Sequence, residues 1–177
     1  MKEGKTLTVL LIEDEFSHAE LIMREMKKVD LSSQRVRHEP SGEEGLKAFQ
    51  QEGFDLVLLD YSLPGMNGLD VLRKMKEMDY DTPVIIVTGQ GNEKVAVEAM
   101  KLGAYDYVIK SANHLVTLPV LVEKTLEKYQ KDKDYWNLEG IYQTIVENST
   151  DAIILTDGTG LITFYSRGAE GIFGYSP

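Results

Sequence analysis

The chain has 177 residues, of which 42% are hydrophobic and 27% charged, enough for one full domain and part of a second, and it has no apolar run near the roughly 20 residues that cross a bilayer. It has no cysteine, which excludes disulfides, thiolate metal sites and cysteine nucleophiles, and its three histidines (His18, His38 and His114) have no metal-ligand spacing and read as surface or packing residues. A formal charge of -10 argues against direct contact with nucleic acid and favours a protein- or cation-binding role. The start, Met-Lys-Glu-Gly-Lys-Thr, leads straight into a strand-length apolar run without a signal peptide, so the expected compartment is the cytoplasm, with no membrane segment in this stretch.

Thr8 to Ile12 is rich in β-branched residues and Leu and predicts a strand, followed at once by Glu13-Asp14-Glu15. Ser17 to Glu20 reads as a capping box, ahead of Ala19, Ile22, Met23, Met26 and Val29 at helical spacing. A shorter strand follows around Val36. Ser41-Gly42-Glu43-Glu44 then opens a second helix with Leu46, Ala48 and Phe49 on its apolar side.

Phe54 to Asp60 is a continuous apolar run bounded by Gly and Pro turn signals, the pattern of a strand buried on both faces in a parallel sheet. It ends in a carboxylate. Many strands end in a solvated Asp, but in open α/β sheets the C-terminal edge is also where ligands bind. Asn67 is placed to cap a third helix bearing Leu69, Val71, Leu72, Met75 and Met78. Val84 to Thr88 is a fourth buried strand ending in a hydroxyl, before the loop Gly89-Gln90-Gly91; Asn92 is placed to cap the next helix, with Gly103 as its C-cap. Tyr105 to Ile109 supplies a fifth strand, followed by Lys110.

Five strands alternating with helices predict a doubly wound α/β fold with a five-stranded parallel sheet. Glu13, Asp14, Asp60, Thr88 and Lys110 then fall on one edge. Crowded carboxylates repel, and a hard divalent cation removes that cost. Mg²⁺ fits, held by Asp14, Asp60, Glu13 through water, and a loop carbonyl near Ser62. Beside it Asp60 can attack phosphorus to give an aspartyl phosphate, with Lys110 and the Thr88 hydroxyl each engaging a phosphoryl oxygen. An ionised Asp60 needs no general base.

The stretch from about Leu7 to Lys128 resembles the receiver domain of two-component response regulators. The likeness rests on Leu-Ile-Glu-Asp-Glu after the first strand, Leu-Leu-Asp-Tyr-Ser-Leu-Pro-Gly-Met-Asn-Gly at the third, Val-Thr-Gly at the fourth and Gly-Ala-Tyr-Asp-Tyr-Val-Ile-Lys at the fifth. The resemblance implies a flavodoxin-like sheet in order 2-1-3-4-5. It makes Asp60 the phosphoacceptor, Glu13 and Asp14 the acidic pair, Thr88 the switch hydroxyl and Lys110 the phosphate-pairing lysine. It implies as phosphodonor a phosphohistidine on a sensor histidine kinase or phosphotransfer protein. Tyr107 is by the same resemblance the aromatic switch, although a packed core tyrosine also suits its strand. Ser62 and Gln90 stand at positions that in this family tune phosphoryl lifetime. Receivers mostly carry Pro after the lysine; Ser111 stands there instead, so a longer last loop and a final helix starting near Leu118-Pro119 are expected.

From Pro119 the apolar positions Leu121, Val122, Thr125, Leu126, Tyr129 and Trp136 continue through charged sequence as a connector helix, either solvated or a parallel homodimer helix, which Gly140 could end or kink. Ala152 to Thr156 and Leu161 to Tyr165 flank Asp157-Gly158-Thr159-Gly160, a hairpin signal. The segment from Tyr142 to Pro177 looks like the first third of a PAS domain, an incomplete α+β piece too short to close a core. The chain is therefore expected to be a fragment, its tail partly disordered or packed on a neighbour.

The expected division is a receiver domain over 1–128, a connector helix over 129–140 and a truncated PAS domain over 141–177. The fragment could be the N-terminal part of a hybrid sensor histidine kinase, and no separate turnover activity is expected of it beyond phosphorylation and dephosphorylation of its own Asp. A Mg²⁺-dependent phosphohydrolase would place a second Asp where Ser62 stands. A flavodoxin-type cofactor binder would need a phosphate-cradling loop where Glu13-Asp14-Glu15 would repel phosphate. A pseudo-receiver is disfavoured because every chemical position is filled.

Overall fold

In a computed structural model of the chain, residues 6–28, 34–78, 81–89 and 93–175 are described. Val29, Gln90 and Asn92 lie outside them. The chain divides into two compact units, Met1–Tyr129 and Gln130–Pro177.

In the first unit β1 (Leu7–Ile12), β2 (Gln34–Glu39), β3 (Leu56–Asp60), β4 (Val84–Thr88) and β5 (Asp106–Ile109) form one sheet in the order β2-β1-β3-β4-β5. All neighbours run parallel, as strands joined by helical crossovers must. The crossovers are α1 (Phe16–Met26), α2 (Gly42–Gln51), α3 (Gly68–Glu77) and α4 (Glu93–Lys101), with α5 (His114–Asn148) following β5.

Alternation along the strands sends side chains to opposite faces of the sheet. Leu10, Ile12, Val57, Leu59 and Ile86 pack with Leu46 and Phe49 of α2, Val71, Leu72 and Met75 of α3 and Ala99 of α4. Val9, Leu11, Leu56, Leu58 and Ile85 pack with Ala19, Ile22 and Met26 of α1 and with Leu118 and Val122 at the start of α5. Both faces are therefore covered, which is why the central strands read as unbroken apolar runs. The flavodoxin-like α/β architecture expected from the sequence is the one observed.

Two of the expected helix starts hold. Ser41 caps α2, its hydroxyl accepting from the Glu44 amide at 3.2 Å and donating to the Glu44 carboxylate at 3.0 Å; Asn67 caps α3, accepting from the Asp70 amide at 3.0 Å. The capping box at Ser17 does not form. The α1 helix begins at Phe16 with Glu15 in the N-cap position and no side-chain cap, so Ser17 lies inside the first turn rather than at the cap, and its hydroxyl donates to the Glu15 carboxylate at 2.7 Å.

The final helix starts at His114, not near Leu118, and the last loop is short. The Asn113 carbonyl accepts from the Val116 and Thr117 amides and so starts a turn earlier, leaving Pro119 inside the helix without an N–H for Leu115's carbonyl. Gly140 neither ends nor kinks α5 into two elements. The helix runs on to Asn148, since a helical Gly costs only about 1 kcal/mol relative to Ala.

In the second unit β6 (Ile154–Thr156) and β7 (Ile162–Tyr165) pair antiparallel, and α6 (Arg167–Phe173) follows. The hairpin turn is held by one Asp157 carboxylate oxygen, which accepts from the Thr159 amide, the Thr159 hydroxyl and the Leu161 amide at 2.8, 2.6 and 3.0 Å. Ser166 caps α6 and also takes the Ile153 amide at 3.0 Å, tying the hairpin to the helix. No helix among the described residues is long and apolar enough to cross a membrane.

The turn after β3 depends on Gly68, where an added Cβ would lie 2.4 Å from the Asp60 carbonyl oxygen and 2.8 Å from the Tyr61 Cα. Both are backbone atoms and cannot turn aside. Gly68→Ala, favourable by helix propensity alone, is therefore expected to lower stability by roughly 1–3 kcal/mol, a Tm loss on the order of 3–9 °C. A Tm equal to or above the parent's would show that the loop tolerates the methyl group.

Candidate functional site

Strand ends build the site. The β1 strand delivers Glu13 and Asp14, β3 ends on Asp60, β4 ends on Thr88, and β5 is followed by Lys110. The register that pairs Asp60 with Val87 and Thr88 with Ile109 brings these ends level at one edge. The backbone tightens it further: the Lys110 amide donates to the Thr88 carbonyl at 2.7 Å, and the Tyr61 amide to the Val87 carbonyl at 2.8 Å.

Lys110 sits between two carboxylates. Its ammonium donates to Asp60 Oδ2 at 2.8 Å and to Glu13 Oε2 and Oε1 at 3.1 and 3.4 Å. Glu13 and Asp60 are both almost fully buried, whereas Asp14 is exposed. A ligand oxygen of each of the three carboxylates lies within 4.8 Å of the others. The Ser62 amide donates to Asp60 Oδ1 at 3.3 Å, fixing the carboxylate from the loop side.

Burial pushes the Asp60 carboxyl above its ordinary range, the Glu13 charge adds to that, and Lys110 opposes it. Ionised Asp60 therefore subtracts from stability as pH rises above the usual carboxylate range. Glu13 goes the other way: burial raises it, but the hydrogen bond from His18 and the charge of Lys110 outweigh this and hold it low. Lys110 is raised, its desolvation outweighed by Asp60 and Glu13, so its support persists at neutral pH and is lost as pH climbs past the usual lysine range.

Thr88 is fully buried, and its hydroxyl oxygen has no hydrogen-bond partner among the described residues. Leaving such a group unpaired costs about 1–3 kcal/mol. Tyr107 is 40% exposed, so it is not a packed core tyrosine. Gln90 lies outside the described residues.

The histidines correct the sequence reading. All three converge on Glu13 or on each other: His38 Nε2 donates to the Glu13 carbonyl at 2.7 Å, His18 Nδ1 to the Glu13 carboxylate at 2.6 Å, and His18 Nε2 lies 3.0 Å from His114 Nε2. A signal for two of them existed. His18 follows Glu13 by five positions and His114 follows Lys110 by four, so each sits on the segment leaving an edge residue that the topology brings to the same place.

Family models match the chain twice, as response regulator receiver domain over residues 9–118 and as PAS fold over residues 140–177. Among curated relatives, the uncharacterized transcriptional regulatory protein YkoG of Bacillus subtilis is 39% identical over 102 residues, covering 58% of this chain and 43% of its own length. The methanogenesis regulatory protein FilR1 of Methanothrix harundinacea is 36% identical over 129 residues, covering 71% of this chain and 28% of its own length. The chain thus spans less than half of either relative. A solved structure, the signal receiver domain of a LuxO-type repressor protein from Vibrio parahaemolyticus, superposes with a TM-score of 0.66 at 29% identity, covering 73% of this chain and 96% of that one. With most of its length matched by that family model and its sheet order in agreement, the chain belongs to the response regulator receiver domain family.

Proposed function

We propose that Asp60 accepts a phosphoryl group from a phosphohistidine of a sensor histidine kinase or phosphotransfer protein. The observation that carries this reading is a buried carboxylate bonded to Lys110 in the same strand-end site as a buried hydroxyl, that of Thr88, with no partner among the described residues. An Asp60 oxygen forms a bond to phosphorus as the P–N bond breaks, and the electron pair of that bond leaves on the donor imidazole. Lys110 exchanges its carboxylate contact for a phosphoryl oxygen, and the Thr88 hydroxyl donates to another, gaining the partner it lacks.

The donor set suits Mg²⁺: three hard carboxylate oxygens lie close together, and one of them, on Asp60, is uneasy as an anion. Asp14, Asp60, the Ser62 backbone carbonyl and Glu13 through water would hold it. When bound, it supplies neutralisation of the charge on the transferring oxygens. Tyr107, exposed on β5, is the aromatic group that follows Thr88 when the hydroxyl moves onto the phosphoryl group.

The signal then leaves through residues 129–140, read as a connector, to residues 141–177, read as the start of a PAS domain, with this division of the chain a proposal in itself. Leu138, Ile141 and Ile145 on α5 are all more than half exposed and share a helical face, which supports a homodimer through this helix. The relatives' names describe transcriptional regulators; for this chain the acidic charge favours a protein partner over direct nucleic-acid contact.

Incubation with Mg²⁺ and a small acyl phosphate is expected to add one phosphoryl group by intact mass, removed by hydroxylamine and absent in Asp60→Asn. No adduct in the parent, or an adduct kept in the variant, sinks the mechanism. Lys110→Ala leaves Glu13 and Asp60 without their shared cation, so in EDTA its Tm is expected to fall by roughly 3–6 °C, discounted for the lysine's partial exposure. Mg²⁺ should recover more Tm in this variant than in the parent; no Mg²⁺-dependent change in either protein counts against the metal site. Sedimentation at micromolar concentration is expected to give a dimer for the parent and a monomer for Ile145→Glu, and a monomeric parent refutes the dimer.

A further inference from the structure

The start of α1 and the start of α5 meet through two imidazoles whose hydrogen bonds leave them mismatched. His18 Nδ1 faces Glu13 Oε2 at 2.6 Å, and the Lys110 ammonium donates to that same oxygen at 3.1 Å, so the oxygen accepts from both. His114 Nδ1 faces the Ser111 carbonyl oxygen at 2.6 Å, which likewise can only accept. Both Nδ1 atoms therefore carry hydrogen. The two Nε2 atoms then face each other across 3.0 Å. With each Nδ1 already spent on an oxygen, what holds the two Nε2 atoms together is a cation between them, a metal ion or a shared proton.

The geometry points to a second metal site, of the Zn²⁺ class, ligated by His18 Nε2 and His114 Nε2 and separate from the oxygen pocket of Asp14 and Asp60. Imidazole nitrogen selects Zn²⁺, Cu²⁺ or Ni²⁺ over Mg²⁺. At Zn–N lengths of about 2.0–2.1 Å, the observed separation needs to widen by roughly 0.3 Å to reach a tetrahedral angle. Both ligands already have the outer support that metal-bound histidines use: a carboxylate behind one ring and a backbone carbonyl behind the other, fixing tautomer and orientation. The His18 side chain keeps 11% exposure and His114 is half-buried, so an ion can enter and the remaining positions take water. An ion there clamps the first turns of α1 and α5 together. It also strengthens the His18 bond to Glu13 Oε2, the oxygen that Lys110 uses, and so reports on the state of the acidic pocket.

The test uses the whole 177-residue chain in excess Mg²⁺, with Cu²⁺ at half an equivalent as the probe and electron spin-echo spectroscopy as the readout. The expected signature is the remote-nitrogen pattern of two coordinated imidazoles in the parent. It is retained in His38→Gln and Asp60→Asn and lost or reduced to one imidazole in His18→Gln and His114→Gln. Zn²⁺ affinity, measured by competition, should fall at least ~10-fold in the last two. Oxygen-only coordination in the parent, or an unchanged signature in both variants, overturns the site. Should either variant fail to fold, nitrogen-15 spectra of the parent decide: one equivalent of Zn²⁺ should move the Nε2 resonances of His18 and His114. Rings that stay unmoved mean the pair is held by a shared proton, which overturns the metal reading.

Discussion

Two buried carboxylates, Glu13 and Asp60, share one ammonium, that of Lys110, and the rest of the site is arranged around this sharing. Either carboxylate alone in that position would drive up its own proton affinity, and both together without a cation would be worse. The lysine resolves the conflict unevenly. Glu13, with His18 as a second partner, is held low, while Asp60 remains raised. The two acids thus differ in readiness: Glu13 is committed to neighbours within the protein, and Asp60 has the most to gain from an incoming cation or an exchange of partners.

That arrangement is a product of topology more than of local sequence. Glu13, Asp60 and Lys110 are separated by dozens of residues and are brought level by parallel register alone, with strands that are apolar on both faces because helices cover both. Their rigidity matters. A carboxylate at the end of a fully buried strand, braced by the Ser62 amide and by a loop that passes within a methyl group's reach of its own carbonyl, has little freedom to move toward or away from the lysine.

Features governed by neighbours along the chain were legible in the sequence. The Ser41 and Asn67 caps, the five strands and the edge location of Glu13, Asp14, Asp60, Thr88 and Lys110 follow from periodicity, turn chemistry and the rule that parallel sheets bind at their C-terminal ends. Where two local options compete, the reading failed. Ser17 resembles an N-cap but its hydroxyl goes to Glu15, and Pro119 resembles a first-turn proline but the Asn113 carbonyl starts the turn sooner. Gly140 reads as a helix stop, yet its cost in a long helix is small. The histidines were harder to read for a different reason: the partner of His18 lies 96 positions away, and beyond their places just after two edge residues only the fold brings α1 and α5 to the same face.

The Thr88 hydroxyl carries a consequence for how such a chain would respond to selection. A buried hydroxyl with no partner among the described residues is a local cost to folding stability, and Val at that position would remove it. Selection for thermal resistance alone would therefore drift away from Thr at position 88, and the residue persists only where something outside the resting fold rewards an oxygen there. The flaw is a reserve of unspent bonding capacity, and its location identifies the part of the molecule whose resting state was not optimised for rest.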